Sequence, residues 1–178
     1  MPVVLPSSVS RETRAGIALG SNVGNRLKHL QDARDMLGRI AVPGSLLQAP
    51  VYQTEPVECP PGSPDFYNTV VEIAYAGTPH ELLDATQGIE FHLGRTAEPE
   101  RNAPRVIDLD ILYFGDERID GEILDLPHPR LTSRRFVLQP LAEIRPDLIL
   151  PGDQVSIAEH LRHLDCREPP LVTVQATW

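Results

Sequence analysis

The 178-residue chain reads as an α+β domain. Three observations lead there. Several short apolar stretches alternate with a period of two, two longer ones repeat at helical spacing behind capping signals, and the two kinds are intermixed along the chain. No internal repeat and no linker composition divides them, so a single domain is expected.

Each element follows from its own residues. Arg14-Ala-Gly-Ile-Ala-Leu-Gly20 forms a first strand. Ser21-Asn22-Val23-Gly24-Asn25 is a turn with Asn25 as N-cap, after which Leu27, Leu30, Ala33, Leu37 and Ile40 recur at helical spacing. Residues 46–54 form a second strand, and 55–65, with four prolines and a glycine, an irregular loop. Residues 66–74 return as strand. Thr78, Pro79 and Glu81 supply a cap, a first helical residue and the third member of a capping box for a helix ending near Leu93. Residues 94–104 are a charged loop leading into a strand over 106–113. Residues 116–125 resemble a hairpin connection, 137–143 a short helix, and Ser156 with Glu159 a second capping box; 171–174 add an edge strand. The order β-α-β-β-α-β with a C-terminal extension predicts a ferredoxin-like core over residues 14–178, behind a disordered or extended leader at 1–13. Such a fold serves many functions and selects none.

Composition removes several function classes. A net charge of −9 and a pI near 5.1 leave no broad electrostatic footprint for nucleic acid. No apolar stretch is long enough to span a bilayer, and the first residues lack signal-peptide character. Lys28 is the sole lysine, which rules out a Walker lysine and leaves little room for Schiff-base chemistry. Cys59 and Cys166 form no metal-binding Cys-x-x-Cys pair and do not indicate a disulfide framework, so a reducing cytoplasm is expected; a monomer is the separate expectation for its assembly. The basic residues are uneven: seven of sixteen lie between Gly94 and Arg135, and all seven are arginines, suited to forked contact with phosphate oxygens.

The most informative stretch is Val106-Ile-Asp-Leu-Asp-Ile-Leu-Tyr113. Alternation turns Asp108 and Asp110 to one face of an otherwise apolar strand, with Cα atoms roughly 6–7 Å apart. Two like charges there repel and resist desolvation, so a positive partner is required. A hard divalent cation such as Mg²⁺, held by the two carboxylates and by substrate phosphates, meets that need. Arg95, Arg101 and Arg105 precede the pair in the charged loop, where they suit a clamp on polyphosphate or an ordinary solvated surface. Leu83, Gln87 and Glu90 share one helical face, which can line a nucleotide cleft or remain a solvated flank. His128, between two prolines and near Arg130 and Arg134, either adds a phosphate donor or is an ordinary structural histidine. Phe66 and Phe136 belong either in the core or on the two faces of a flat heterocycle. Gly20 to Gly24 fits neither nucleotide-binding glycine pattern and is better explained as a tight turn.

Taken together these residues resemble the 6-hydroxymethyl-7,8-dihydropterin pyrophosphokinase family of folate biosynthesis. The matching stretches are Ala18-Leu-Gly-Ser-Asn22, Val51-Tyr-Gln-Thr-Glu-Pro56, Asp65-Phe-Tyr-Asn68, Gln87-Gly-Ile-Glu90 and Leu93-Gly-Arg95. Pro104-Arg-Val-Ile-Asp-Leu-Asp-Ile-Leu112, Leu126-Pro-His-Pro-Arg130 and Arg135-Phe-Val-Leu138 continue them in family order across residues 17–151. The resemblance implies transfer of pyrophosphate from ATP to the hydroxymethyl group of the reduced pterin, with release of AMP. It implies two Mg²⁺ ions with Asp108 and Asp110 as their ligands, and ATP contacts from Leu83, Gln87, Glu90, Arg105, Ile111, His128 and Arg134. Arg95 and Arg101 resemble catalytic-loop arginines, and Thr54, Val57, Phe66, Asn68 and Phe136 resemble the pterin pocket, with Asn68 pairing to the pterin's amide-like edge.

Four positions depart from the family pattern. Asn102 stands in place of a tryptophan, Ala97 of a frequent arginine, Phe66 of a frequent tyrosine, and Asp125 of a small hydroxyl residue. The altered loop leaves open a binding module without turnover, and the acid pair by itself a general metal-dependent phosphohydrolase.

Overall fold

The computed structural model describes residues 11–56, 58–95, 105–164 and 171–178. An antiparallel sheet forms the centre. Its strands are β1 (Thr13–Ser21), β2 (Leu47–Gln48), β3 (Val51–Thr54), β4 (Phe66–Tyr75), β5 (Asp108–Phe114) and, after the two-stranded ribbon of β6 (Ile119–Asp120) and β7 (Asp125–Leu126), β8 (Val172–Gln175). The order across the sheet is β5-β1-β4-β3-β8, with β2 also paired to β4. Helices α1 (Arg26–Ile40) and α2 (Pro79–His92) cover one face. Helices α3 (Arg135–Ile144) and α4 (Ile157–His163) pack on the other.

The local signals explain where the helices begin. The Asn25 side chain accepts the Lys28 N–H at the start of α1. Thr78 and Glu81 close a reciprocal capping box on α2, as Ser156 and Glu159 do on α4. Leu30, Ala33 and Leu37 of α1 and Leu82 and Ile89 of α2 are buried against Ile17, Leu19, Val71, Ile73, Leu109 and Ile111 of the sheet. Helix α3 starts two residues earlier than its periodicity indicated and runs through Pro140, which cannot donate to the carbonyl of Phe136.

Two expectations need correction. The single strand expected over 46–54 is split at Ala49-Pro50, because Pro50 has no N–H to give to the ladder. The Thr69 hydroxyl bridges the gap with contacts to the carbonyls of Ala49 (3.1 Å) and Pro50 (2.9 Å), and the pairing with β4 moves by one residue across it. Strand β5 is also not a simple alternating strand. Ile17 faces Ile111 and Gly16 faces Tyr113, so Leu112 is the extra residue of a bulge. The bulge brings Tyr113 to the same face as Leu112, against α3.

β1 alternates in side-chain size. Ala15, Ile17 and Leu19 enter the core beneath α1 and α2, whereas Gly16, Ala18 and Gly20 leave the opposite face nearly bare. The Tyr113 ring lies directly over Gly16; a Cβ there would meet it at 2.3 Å. Its hydroxyl thereby reaches across β1 and donates to Glu72 on β4. Glu72, fully buried, also accepts from Arg145 (2.7 Å) and lies 3.5 Å from the Arg14 guanidinium. Burial, then the Glu72 carboxylate, push the Tyr113 hydroxyl far above its ordinary pKa, so it stays a donor. At the opposite edge, β8 leads into Trp178, whose indole N–H donates to Ala49 O (2.7 Å) beneath the Arg34 guanidinium.

Replacing Glu72→Leu leaves two guanidinium groups and a phenol without their shared acceptor, which should cost about 3–5 kcal/mol. The triple variant Glu72→Leu/Tyr113→Phe/Arg145→Leu should recover most of that loss. Urea unfolding of the three proteins measures both effects, and an unchanged midpoint for Glu72→Leu would remove the network from the fold's support.

Candidate active site

The bare face of β1 is the floor of a cleft of about 480 Å³. Its walls rise from the neighbouring strands. Asp108 pairs with Gly20 and Asp110 with Ala18 on the β5 side, while Asn68 pairs with Gly20 and Val70 with Ala18 on the β4 side. Asp108, Asp110 and Arg105 therefore line one wall, and Thr54, Phe66 and Asn68 the other. The N-cap and first turn of α3 close the far side with Arg134, Phe136 and Val137. The Asn68 amide nitrogen donates to the Thr54 hydroxyl (2.6 Å), and its Oδ1 would lie 2.7 Å from a Cβ placed on Gly20. One of the two amide N–H groups of Asn68 is thus taken up by Thr54, and the other remains. Arg134 stacks at 5.3 Å over the Phe136 ring.

A second cavity of about 250 Å³ adjoins the first. Leu83 of α2, Leu109 and Ile111 of β5, and Ile123, Leu124 and Asp125 from the β6–β7 ribbon surround it. Asp110 and His128 line both cavities. His128 is fixed by its backbone N–H, which donates to Leu112 O (2.8 Å), and its Nδ1 accepts the Arg130 N–H (3.2 Å). The ring proton therefore sits on Nε2 as a donor. Burial, then Arg134 and Arg130, lower the His128 pKa and keep the ring neutral near pH 7.

The acids differ sharply in their surroundings. Asp108 Oδ1 accepts from Arg95 and Arg105, each at 3.0 Å. Asp110 accepts no hydrogen bond among the described residues; burial, then the charge of Asp108, push its pKa up to about 6 against the pull of Arg134, Arg105 and Arg95. Glu90, buried at the end of α2, accepts the Leu109 N–H (2.6 Å) and pairs with Arg95. Its own burial raises its pKa to about 7. Among the described residues no cluster of three or more His, Cys, Asp or Glu side chains is suited to a metal. Two carboxylates, one open and resisting ionisation beside the other, nonetheless fit a hard cation that draws its remaining oxygens from phosphate and water.

The sequence-derived set is mostly gathered here. Thr54, Phe66, Asn68, Arg105, Asp108, Asp110, His128, Arg134 and Phe136 line the large cleft, and Leu83 and Ile111 the smaller cavity. Arg95 and Glu90 stand behind Asp108 and line neither. Gln87 is exposed and also lines neither, so the helical face it shares with Leu83 and Glu90 is not uniformly turned to the sheet. Val57 and Arg101, with the altered positions Ala97 and Asn102, lie outside the described residues. Glu55, Glu58, Cys59 and Ser133 also line the cleft, and no local signal marked them.

Fold and site define a class: an antiparallel α/β domain whose paired strand acids and converging arginines face two adjoining cavities. The family model described as 7,8-dihydro-6-hydroxymethylpterin-pyrophosphokinase matches residues 16–146, and the chain belongs to that family. A 2-amino-4-hydroxy-6-hydroxymethyldihydropteridine pyrophosphokinase of Bacillus subtilis is 47% identical over 133 residues, 73% of this chain and 77% of the relative. One of the same description from Methylorubrum extorquens is 41% identical over 158 residues, 86% of this chain and 94% of the relative. Among solved structures, a Plasmodium falciparum HPPK-DHPS superposes with a TM-score of 0.68 at 16% identity over 88% of this chain. This chain spans 45% of that one, and the likeness is one of fold.

The acid pair generates a pH signature in the metal-free protein. A carboxyl whose folded pKa is raised is favoured when protonated, so that contribution is complete below its unfolded value near 3.8 and is lost as pH rises through about 6. Relative to Asp110→Asn, the wild type should lose stability between pH 4 and 7. Urea midpoints of both proteins across that range, with chelator present, read the difference; a constant difference would contradict it.

Proposed function

We propose that this chain transfers a pyrophosphoryl group from ATP to 6-hydroxymethyl-7,8-dihydropterin, releasing AMP and forming the pterin diphosphate. The observation that carries this reading is the meeting of the two cavities at Asp110 and His128. One cavity has aromatic side chains and the Asn68–Thr54 polar edge, suited to a flat, amide-bearing ring. The other is smaller, with apolar Leu83, Ile111 and Leu124 beside polar Asp110, Asp125 and His128, and suits a purine, which has apolar faces and hydrogen-bonding edges. A triphosphate joining them passes the acids and arginines. Family membership supports the same assignment.

The transfer forms a bond from the hydroxymethyl oxygen to the β-phosphorus and breaks the bond from the β-phosphorus to the oxygen retained by AMP. Asp108 and Asp110 would hold two Mg²⁺ ions. Bound there, the ions supply neutralisation of phosphate oxygens and acidification of the attacking hydroxyl. The chain's own groups do the rest. Phe66 and Phe136 sandwich the pterin, with Thr54, Val57 and Asn68 at its edge. Leu83, Gln87, Glu90 and Ile111 belong to the nucleotide side. His128 offers Nε2–H, and Arg95, Arg101, Arg105 and Arg134 offer forked donors to the phosphates, so that catalysis is positioning and charge stabilisation. We read the sheet as a ferredoxin-like core, a reading supported by the order β5-β1-β4-β3 with α1 and α2 on one face. We take residues 14–178 as one catalytic unit behind a leader, monomeric and cytoplasmic; among the described residues no helix is long and apolar enough to cross a membrane.

Incubation with Mg²⁺, ATP and the hydroxymethyl dihydropterin should yield AMP and the pterin diphosphate in equal amounts. Release of ADP, or of phosphate without pterin, would overturn the reading. Asp110→Ala should lower kcat by on the order of 10³-fold or more while its circular dichroism spectrum is unchanged. Near-normal turnover in that variant would refute the metal assignment.

A further inference from the structure

Asn22 directly follows β1 and opens the turn to α1, and its side chain is nearly inaccessible, with 2% of the residue exposed. It lines neither cavity. Its contacts instead converge on one distant peptide. The Asn22 Oδ1 accepts the Arg105 N–H at 2.7 Å, and the Asn22 N–H donates to the Arg105 carbonyl at 3.2 Å. Both backbone groups of Arg105 are thus held by one residue 83 positions away. The Arg105 side chain, on that fixed peptide, reaches Asp108 Oδ1 at 3.0 Å and lines the cleft.

Arginine is long, and its aim depends on where its Cα is held. Arg105 lies three positions before Asp108, and β5 pairing begins at Asp108, so the ladder does not fix the Arg105 peptide. Asn22 does. An asparagine suits the task because its side-chain carbonyl accepts the N–H while its own backbone satisfies the carbonyl, with no charge added beside Asp108 and Asp110. The neighbouring residues are built to keep it in place. Ser21 is the last residue of β1 and pairs with Tyr67, Gly24 adopts φ +65°, and Asn25 caps α1, so the turn is anchored on both sides.

We propose that Asn22 is a positioning residue for phosphate recognition, acting through the Arg105 peptide to hold the guanidinium beside the acid pair. This rests on the nucleotide reading above, yet the two fail differently. If wild type does not bind Mg²⁺ with a non-hydrolysable ATP analogue, the nucleotide reading falls; if it binds but the cycle below is additive, only the Asn22 assignment falls.

Calorimetry should be run with that analogue on wild type, Asn22→Ala, Arg105→Ala and the double variant. Asn22→Ala should weaken binding about tenfold, and the same substitution in the Arg105→Ala background should add less than about twofold. Losses that multiply in the double variant, or undiminished affinity in Asn22→Ala, would each overturn the proposal. A second measurement needs no variant. The Arg105 amide of the wild-type protein should exchange with solvent at least about 100-fold more slowly than an unprotected peptide. Exchange at the unprotected rate would overturn the proposal even if Asn22→Ala does not fold.

Discussion

A central strand with almost nothing on one of its faces is the constraint from which the rest of this structure follows. Gly16, Ala18 and Gly20 of β1 put no more than a methyl group between β4 and β5. Across Gly20, Asp108 and Asn68 border one space, and across Gly16, Tyr113 reaches Glu72. A larger residue at Gly16 would collide with the Tyr113 ring, and one at Gly20 with the Asn68 amide. The same alternation places Ala15, Ile17 and Leu19 in the main core. One short stretch therefore supplies both the packing that holds the sheet together and the emptiness that makes a cleft in it.

The two ends of that bare face are used in opposite ways. At the Gly16 end a carboxylate is satisfied completely by a phenol and guanidinium groups, so its charge stabilises the contact among β4, β5 and α3. At the Gly20 end Asp110 is left without a hydrogen-bond partner among the described residues and beside a like charge. A protein of marginal stability retains such a liability where a ligand resolves it. Glu90 and Arg95 continue the pattern behind Asp108, since Glu90 fixes the β5 backbone through Leu109 and Arg95 joins the two acids.

Much of the site was legible because its signals are local. The acid pair stands out against the apolar residues around it, and two-residue periodicity suffices to place Asp108 and Asp110 on one side. Capping boxes at Thr78 and Ser156 are self-contained over four residues, and both formed. Other features had no local trace. The break at Pro50 carried a signal in the proline itself, outweighed by the apolar residues on either side. Gln87 shares a helical stripe with Leu83 and Glu90, yet the side that α2 buries runs through Leu82, Thr86, Ile89 and Glu90 and leaves Gln87 exposed. The Leu112 bulge depends on how β1 and β5 register and is invisible in β5 alone.

From the residues alone came the kinds of element, their order, the facing of the two acids and the resemblance that unites the motifs. All of these rest on interactions spanning a turn or two of chain, which a linear pattern encodes directly. The folded molecule alone decided which side chains meet across the sheet: Asn22 with Arg105, Glu90 with Leu109, Tyr113 with Glu72, and the cleft shared by residues from Ala18 to Val137. Those meetings depend on strand order and register, which are set by the burial of every element at once.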